Sequence, residues 1–321
     1  MPRSELNIKT GAPRKDREVS RLFLLKNKRF SRLKEQAIRA FFFSCGLLAI
    51  LALAGIFIIL LTTAFPVFKD ISLKEFLGSG RWDPTSPEKA EYGILSMIVS
   101  TLLVTAGALV FAVPIGLGVA SYLSDVAHWR VREVVKPIIE ILAAIPSVVV
   151  GFLGIVLLSP FLARLFHLGN GLNALNGSIL LAIMALPTII SLSEDSLNAV
   201  PTSYAEASLA LGGSRWQTLV RVKIPAALSG IIASIMLGMG RAIGETMTVL
   251  MATGNARSFP HGLLDSVRTM TSNIAIELGE VPYYTTHYYA LFAIGLVLFI
   301  MTFGVNVVAD LVLSKYQERE Q

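Results

Sequence analysis

Residues 93–124 form a run of 32 with no charged side chain, and that run constrains the fold more than any other feature. A bilayer core takes about 20 apolar residues per helix, so a stretch of this length reads as one span with room to tilt. Four further runs share its character, at 40–68, 141–163, 178–193 and 288–309. A sixth, at 224–252, is interrupted only by Arg241 and Glu245. Charged residues are 16% of the 321 and apolar residues 54%, whereas soluble domains carry about a quarter charged. The chain lacks the polar surface to cover itself with water, which excludes a soluble enzyme. Most runs have no polar face, so interfacial amphipathic helices are excluded for them too. The expected fold is an all-α integral membrane protein of six transmembrane helices.

An even number of spans puts both termini on one side. Residues 1–39 hold 12 Lys/Arg and 4 Asp/Glu, leaving 16 and 18 for the rest, so the net charge of +6 belongs to one tail. With the N-terminus cytoplasmic, 20 Lys/Arg fall on that side and seven on the other, with Arg241 inside a span. The positive-inside rule therefore makes both termini cytoplasmic. The expected organisation is a basic cytoplasmic tail at 1–39, a first transmembrane helix at 40–65 and an external loop at 66–93. A core with five transmembrane helices follows at 94–313, carrying a cytoplasmic segment at 199–225, and then a C-terminal tail at 314–321. A basic stretch beside a span reads as a membrane flank, so no nucleic-acid partner is expected. The one cysteine, Cys45, sits in an apolar run and permits no disulfide within the chain. No secretory signal peptide is expected, because the first apolar run starts late and is too long for one.

Several chemistries are missing. No glycine is followed at the required spacing by Gly-Lys-Ser/Thr, so no phosphate loop for ATP is present. Gly238, Gly240 and Gly244 do not fit dinucleotide spacing; Gly240 and Gly244 make a GxxxG pair suited to close helix packing. His128, His167, His261 and His287 are scattered without metal spacing, and no nucleophile-base pair stands out. The chain is expected to be no enzyme and to bind no cofactor or metal. Energy for uphill movement of a solute must come from a partner or an ion gradient.

The most informative charges are Arg241 and Glu245. An ionised Arg inside a span costs about 2.5–3.5 kcal/mol on insertion scales. Four residues apart on a helix, the two share a face and can neutralise each other. Ser234 and Thr248, seven residues to either side of Arg241, extend that face as a polar stripe that implies a water-filled or protein-lined interior. Two readings stand: an ion pair that holds helices together, or an arginine lining a route for an anion, since its planar fork suits oxyanions. Pro114, Pro146 and Pro187 each fall in a span and free a backbone carbonyl. With Ser147 and Thr188 beside two of them, they suggest a solvated path. Between the fourth and fifth spans, Tyr204 to Leu211 reads as helix, Gly212-Gly213 breaks it, and Ser214 starts another amphipathic stretch. Helix, glycine corner, helix is a knob shape that exposes Glu206.

This knob resembles the coupling loop of binding-protein-dependent ABC importer permeases, the MetI-like family. That pattern runs Glu-Ala-Ala, three residues, Gly, nine residues, Ile, one residue, Leu-Pro. Glu206, Ala207, Gly212 and Pro225 fall in register, while Ser208, Val222 and Ile224 are mild departures that keep the spacing. The resemblance implies a type I importer permease fold whose knob docks on a separate cytoplasmic ATPase, which holds ATP-Mg. AFPVF (64–68), GSGRWDP (78–84), AVPIGLGVASYLS (112–124), EILAAIPSVVVGF (140–152) and GRAIGETMTVLMATGN (240–255) further resemble the C-type permease subunit of phosphate-specific importers. That likeness covers about 60–310 and says nothing of the tail.

It implies that Arg241 and Glu245, with Thr246 and Ser147 as weaker candidates, serve phosphate passage, Arg241 meeting the anion. It also implies an assembly in the bacterial cytoplasmic (inner) membrane. Its parts are this chain, an A-type permease partner in a heterodimer, two cytoplasmic ATPase subunits and an external phosphate-binding protein. Alternatives are a permease for molybdate or sulfate, or a membrane scaffold or sensor for phosphate signalling. An ion-coupled secondary transporter would want more membrane carboxylates and no docking loop.

Overall fold

The computed structural model describes residues 14–87 and 89–317, with side chains for 34–36, 38–87 and 89–311. Residues 1–13 of the basic tail and 318–321 of the C-terminal tail lie outside the described residues. The chain divides into two units, Met1–Ile59 and Leu60–Gln321. The first consists of most of helix α1 (Arg14–Ala64). Residues 14–39 of the charged tail and the apolar run therefore share one continuous helix, because no glycine or proline separates them. Phe41, Phe42, Phe43, Leu47 and Leu48 are exposed on it, a surface that suits lipid.

The second unit takes up the chain from the end of α1. Short helices α2 (Val67–Asp70) and α3 (Leu73–Gly78) follow, the latter capped by Ser72, whose hydroxyl accepts the Glu75 N–H. Strands β1 (Trp82–Asp83) and β2 (Glu91–Tyr92) pair antiparallel, Trp82 opposite Tyr92. Helix α4 (Leu95–Ser121) ends in a π-helical turn, Tyr122–Val126. After α5 (Trp129–Ala144) come α6 (Ser147–Leu153) and α7 (Ser159–Leu165), joined by the π-helical turn Gly154–Leu158. Helix α8 (Ala174–Ala199) is followed by α9 (Thr202–Ala210), α10 (Arg215–Thr218), the π-helical turn Leu219–Lys223 and α11 (Ile224–Ala226). The chain finishes with α12 (Leu228–Gly244), α13 (Met247–Ala252), α14 (Met270–Glu277) and α15 (Thr286–Gln317).

Among the described residues, five helical segments are long and apolar enough to cross a membrane: Lys34–Asp70, Leu95–Val126, Ser147–Leu165, Ala174–Ala199 and Thr286–Leu311. A bent pair, Arg215–Ala226 with Leu228–Gly244, makes a sixth candidate, broken by 71°. The third segment starts at Ser147 and not at 141. Ile145 precedes proline and takes an extended ψ of 126°, as the clash with a proline ring favours. Pro114 and Pro187 lie inside continuous helices instead.

Helix α8 is the central post of this unit, with 61% of its most apolar stretch buried. It meets α4 and α12 where glycines let the backbones close. A methyl group on Gly116 would lie 2.7 Å from Ile189 Cγ2, and one on Gly238 would lie 2.9 Å from Ile189 Cγ1. Ser178 completes the α4 contact by donating to the Val104 carbonyl at 3.1 Å. Among the described residues the expected GxxxG pair plays no such part. A methyl group on Gly244 would meet no atom within 4 Å, and one on Gly240 would meet only Asn306, at 3.9 Å. Close packing rests on Gly238, two residues before that pair.

Candidate functional site

Glu245 ends α12 with an extended backbone, φ −68° and ψ 134°. Its Oε1 accepts the backbone N–H of Thr246 at 3.1 Å, Met247 at 3.1 Å and Thr248 at 3.4 Å. Those are the unpaired donors at the start of α13. The expected Arg241-Glu245 pair on one helix face is therefore not formed, because the helix that i,i+4 spacing assumes stops between them. Glu245 caps the next helix. Arg241 is exposed and, among the described residues, makes no hydrogen bond or ion pair.

The polar stripe also divides. Ser234 and Thr248 are 0% exposed. Ser234 meets Ser193 of α8 across 2.7 Å, and the Thr248 hydroxyl donates to the Ser147 carbonyl at 3.1 Å. Both fasten helices together and line no lumen. The Thr248 bond sets the break at Pro146 against the break at Glu245-Thr246. Thr246 and Ser147 are half-buried there, and the Thr271 hydroxyl donates to the Glu245 carbonyl at 2.8 Å. Arg241 and Glu245 share a narrow crevice with Leu181, Met184 and Ala185, too tight to hold a water molecule. The structure thus gathers all four residues named from sequence into one neighbourhood. It leaves a guanidinium with free donors beside two interrupted helices, which is chemistry suited to an oxyanion.

The knob is formed by α9, the corner and α10. Glu206, Ala207, Gly212 and Pro225 are exposed, while Ser208, Val222 and Ile224 are half-buried. Gly212 has φ +84°, a left-handed conformation that glycine adopts without steric cost. Ser208, a departure from the family pattern, bonds Thr218 across 2.9 Å and ties the two helices. Ser214 and Gln217 form a capping box at the start of α10. Leu211 is 90% exposed and Trp216 70%, with Tyr204 and Leu209 also exposed. Sequence reasoning passed over these apolar side chains; two large ones flanking a glycine corner were the available signal. Exposed apolar surface of this kind marks a contact with another protein or with the membrane.

A third cluster was not foreseen at all. Glu277, at the end of α14, is buried and accepts from Trp82 Nε1 at 2.9 Å, Arg268 at 2.9 Å and Arg257 at 3.4 Å; its other contact is His287 Nε2 at 2.8 Å. Burial alone raises its pKa, but the hydrogen bonds from His287 and Trp82 and the charges of His287 and Arg257 outweigh it. The carboxyl is held below its ordinary value. Arg268 also donates to Asn255 and Asn273, and Arg257 reaches Asp83. The node pins the β1–β2 hairpin to α14 and the start of α15.

A family model described as "Binding-protein-dependent transport system inner membrane component" matches residues 112–318. The "Probable ABC transporter permease protein YqgH" of Bacillus subtilis is 36% identical over 87% of this chain and 91% of its own length. The "Phosphate transport system permease protein PstC" of Mesorhizobium japonicum is 32% identical over 86% and 89%. Among solved structures, an inward-facing MetNI methionine ABC transporter matches with a TM-score of 0.56 at 20% identity, covering 70% of this chain and 95% of that one. A bacterial alginate importer matches at 0.53 and 14%, covering 69% and 79%.

Proposed function

The chain belongs to the binding-protein-dependent transport system inner membrane component family, and from that premise we propose that it is the C-type permease subunit of an ATP-driven phosphate importer. Family and fold make it a multi-pass inner-membrane permease subunit of an ABC importer, a transport component that works with an ATPase. The phosphate reading goes further. The observation that carries it is Arg241, an unpaired guanidinium where two helix breaks meet, in a chain whose relatives include several named as phosphate permeases.

In this reading both termini are cytoplasmic and the knob enters a groove on one of two ATPases. Glu206, Ala207 and Gly212 shape the contact, and Leu211 and Trp216 supply its apolar area. Val222, Ile224 and Pro225 join the knob to α12, with Ser208 holding the corner. ATP and its magnesium stay on the ATPases and this chain binds no cofactor. An A-type permease completes the path, and an external phosphate-binding protein delivers the anion. Arg241 receives it in transit, while Thr246 and Ser147 offer hydroxyls and Glu245 keeps the break in shape. Rocking of the helices between inward- and outward-facing states moves the anion on.

The test is ATP-dependent uptake of labelled phosphate by the reconstituted complex, with molybdate and sulfate as competitors. Wild type takes up phosphate against both competitors, and Arg241→Gln loses at least about tenfold of the rate, about 1.4 kcal/mol or more of barrier, while still assembling. Uptake blocked by molybdate or sulfate would sink the phosphate assignment. Full uptake by Arg241→Gln would remove Arg241 from the path.

A further inference from the structure

The polar contacts at the knob's root reach every helix end around it. Lys223, last residue of the π-helical turn before α11, meets Asp125 in the π-helical turn that ends α4; Nζ and Oδ1 are 2.5 Å apart. The lysine side chain is 14% exposed and the aspartate side chain 25%, while Asp125 as a residue is exposed, so the pair is only partly shielded from solvent and from screening by salt. Asp125 also shares a groove with Ala205, Leu209, Trp216 and Thr218 of the knob. One residue earlier, the Ser124 hydroxyl donates to Asn198 on α8 at 3.0 Å, and Asn198 donates to Glu194 at 3.4 Å. Glu194 is 1% exposed and is paired with Lys136 at 3.3 Å and Arg132 at 3.7 Å, both from α5. Arg132 in turn donates to the Leu123 and Ser124 carbonyls. Beneath these contacts, Ala120, Leu197, Val200, Ala227 and Ile231 form one apolar cluster.

We propose that the Lys223–Asp125 pair is the strap that transmits movement of the knob to α4, with Lys223 and Asp125 as positioning residues for transport. The inference rests on the ABC permease reading and adds the residues that carry its motion. The covalent route from knob to α12 passes through a 71° bend, so it is not one straight rod. The lateral route through Lys223 to α4, and on through Ser124, Asn198 and Glu194 to α8 and α5, has no such joint. Pulling the knob therefore moves these helix ends as one body only while the pair is closed. Without it, the ATPase turns over and the membrane helices lag.

The experiment compares wild type, Asp125→Asn, Lys223→Met and the exchange Asp125→Lys with Lys223→Asp, each in the full reconstituted complex. ATPase co-purification, ATP hydrolysis and phosphate uptake are measured together. The expected result is retained assembly, hydrolysis within about twofold of wild type, and uptake per ATP down by about tenfold in both single variants, with at least half restored by the exchange. Unchanged uptake per ATP in the single variants would overturn the strap. So would an exchange that assembles and remains uncoupled.

A second readout needs no solute. Met247→Cys, in a Cys45→Ser background, is labelled by a thiol reagent with and without ATP. Labelling that depends on ATP in the parent and loses that dependence in Asp125→Asn supports the strap; equal dependence in both overturns it. Absence of wild-type phosphate uptake would count against the phosphate reading alone, because the labelling test stands without it.

Discussion

Two regions of the molecule carry carboxylates with several donors, and they use them in opposite ways. At Glu277 the carboxylate draws Trp82 from β1, Arg257 and Arg268 from the loop before α14 and His287 from the start of α15, and each of these four side chains is engaged by it. At the α12–α13 break, Glu245 spends one oxygen on three backbone N–H groups and Arg241 keeps its donors free. A satisfied node makes structure; an unsatisfied charge held beside interrupted helices is available for binding. Charge in a membrane protein is therefore read best by its partners, not by its presence.

The contrast predicts a ranking of effects on stability. Glu277→Ala leaves the half-buried Arg268 opposite no carboxylate and should cost up to about 3–5 kcal/mol, the range for breaking a buried pair from one side. Thermal unfolding of the detergent-purified protein reads it, and a change below about 1 kcal/mol would show that the node holds nothing together. The same node sets a pH dependence. Because the folded-state pKa of Glu277 is lowered, its contribution is fully present above the unfolded carboxylate value and is lost as pH falls through the lower folded one. The carboxylate's part of the stability gap between wild type and Glu277→Gln should be lost as pH falls below the ordinary carboxylate range. A gap that closed on raising the pH would overturn that assignment.

Gly238→Ala comes next, at about 1–3 kcal/mol for overpacking against Ile189. Gly244→Ala, with space around it, serves as its control, and equal losses from both would restore the GxxxG pair. Glu245→Ala should cost about 1 kcal/mol, as loss of a helix cap does, and Glu245→Gln less, since an amide oxygen still accepts. The smallest effect belongs to Arg241→Gln, within about 0.5 kcal/mol of wild type, although uptake is expected to fall at least about tenfold. A larger change in unfolding would mean that Arg241 is structural after all and would erase the contrast.

Much of this was legible from residue order, and the failures have a common cause. Spans were found because hydropathy is local: a run of 32 uncharged residues has few ways to be anything else. Span limits erred where a single backbone choice mattered, as at Ile145, which leaves the helix because proline follows. Spacing also placed the knob, since glycine corners and capping residues act within a few positions. Arg241 and Glu245 were wrongly paired, because i,i+4 reasoning presumes a helix that instead ends between them, where Glu245 takes the first N–H groups of α13.

What residue order settled by itself was a membrane-embedded helical chain, its knob and the charges worth watching, since each depends on neighbours in sequence. Only the tertiary structure decided which charges are spent. Trp82, Arg257, Arg268 and His287 meet Glu277, and Lys223 meets Asp125, across up to 195 residues of separation. Such meetings depend on how α8, α4 and α12 close at Gly116 and Gly238, a property of packed surfaces that no local pattern records.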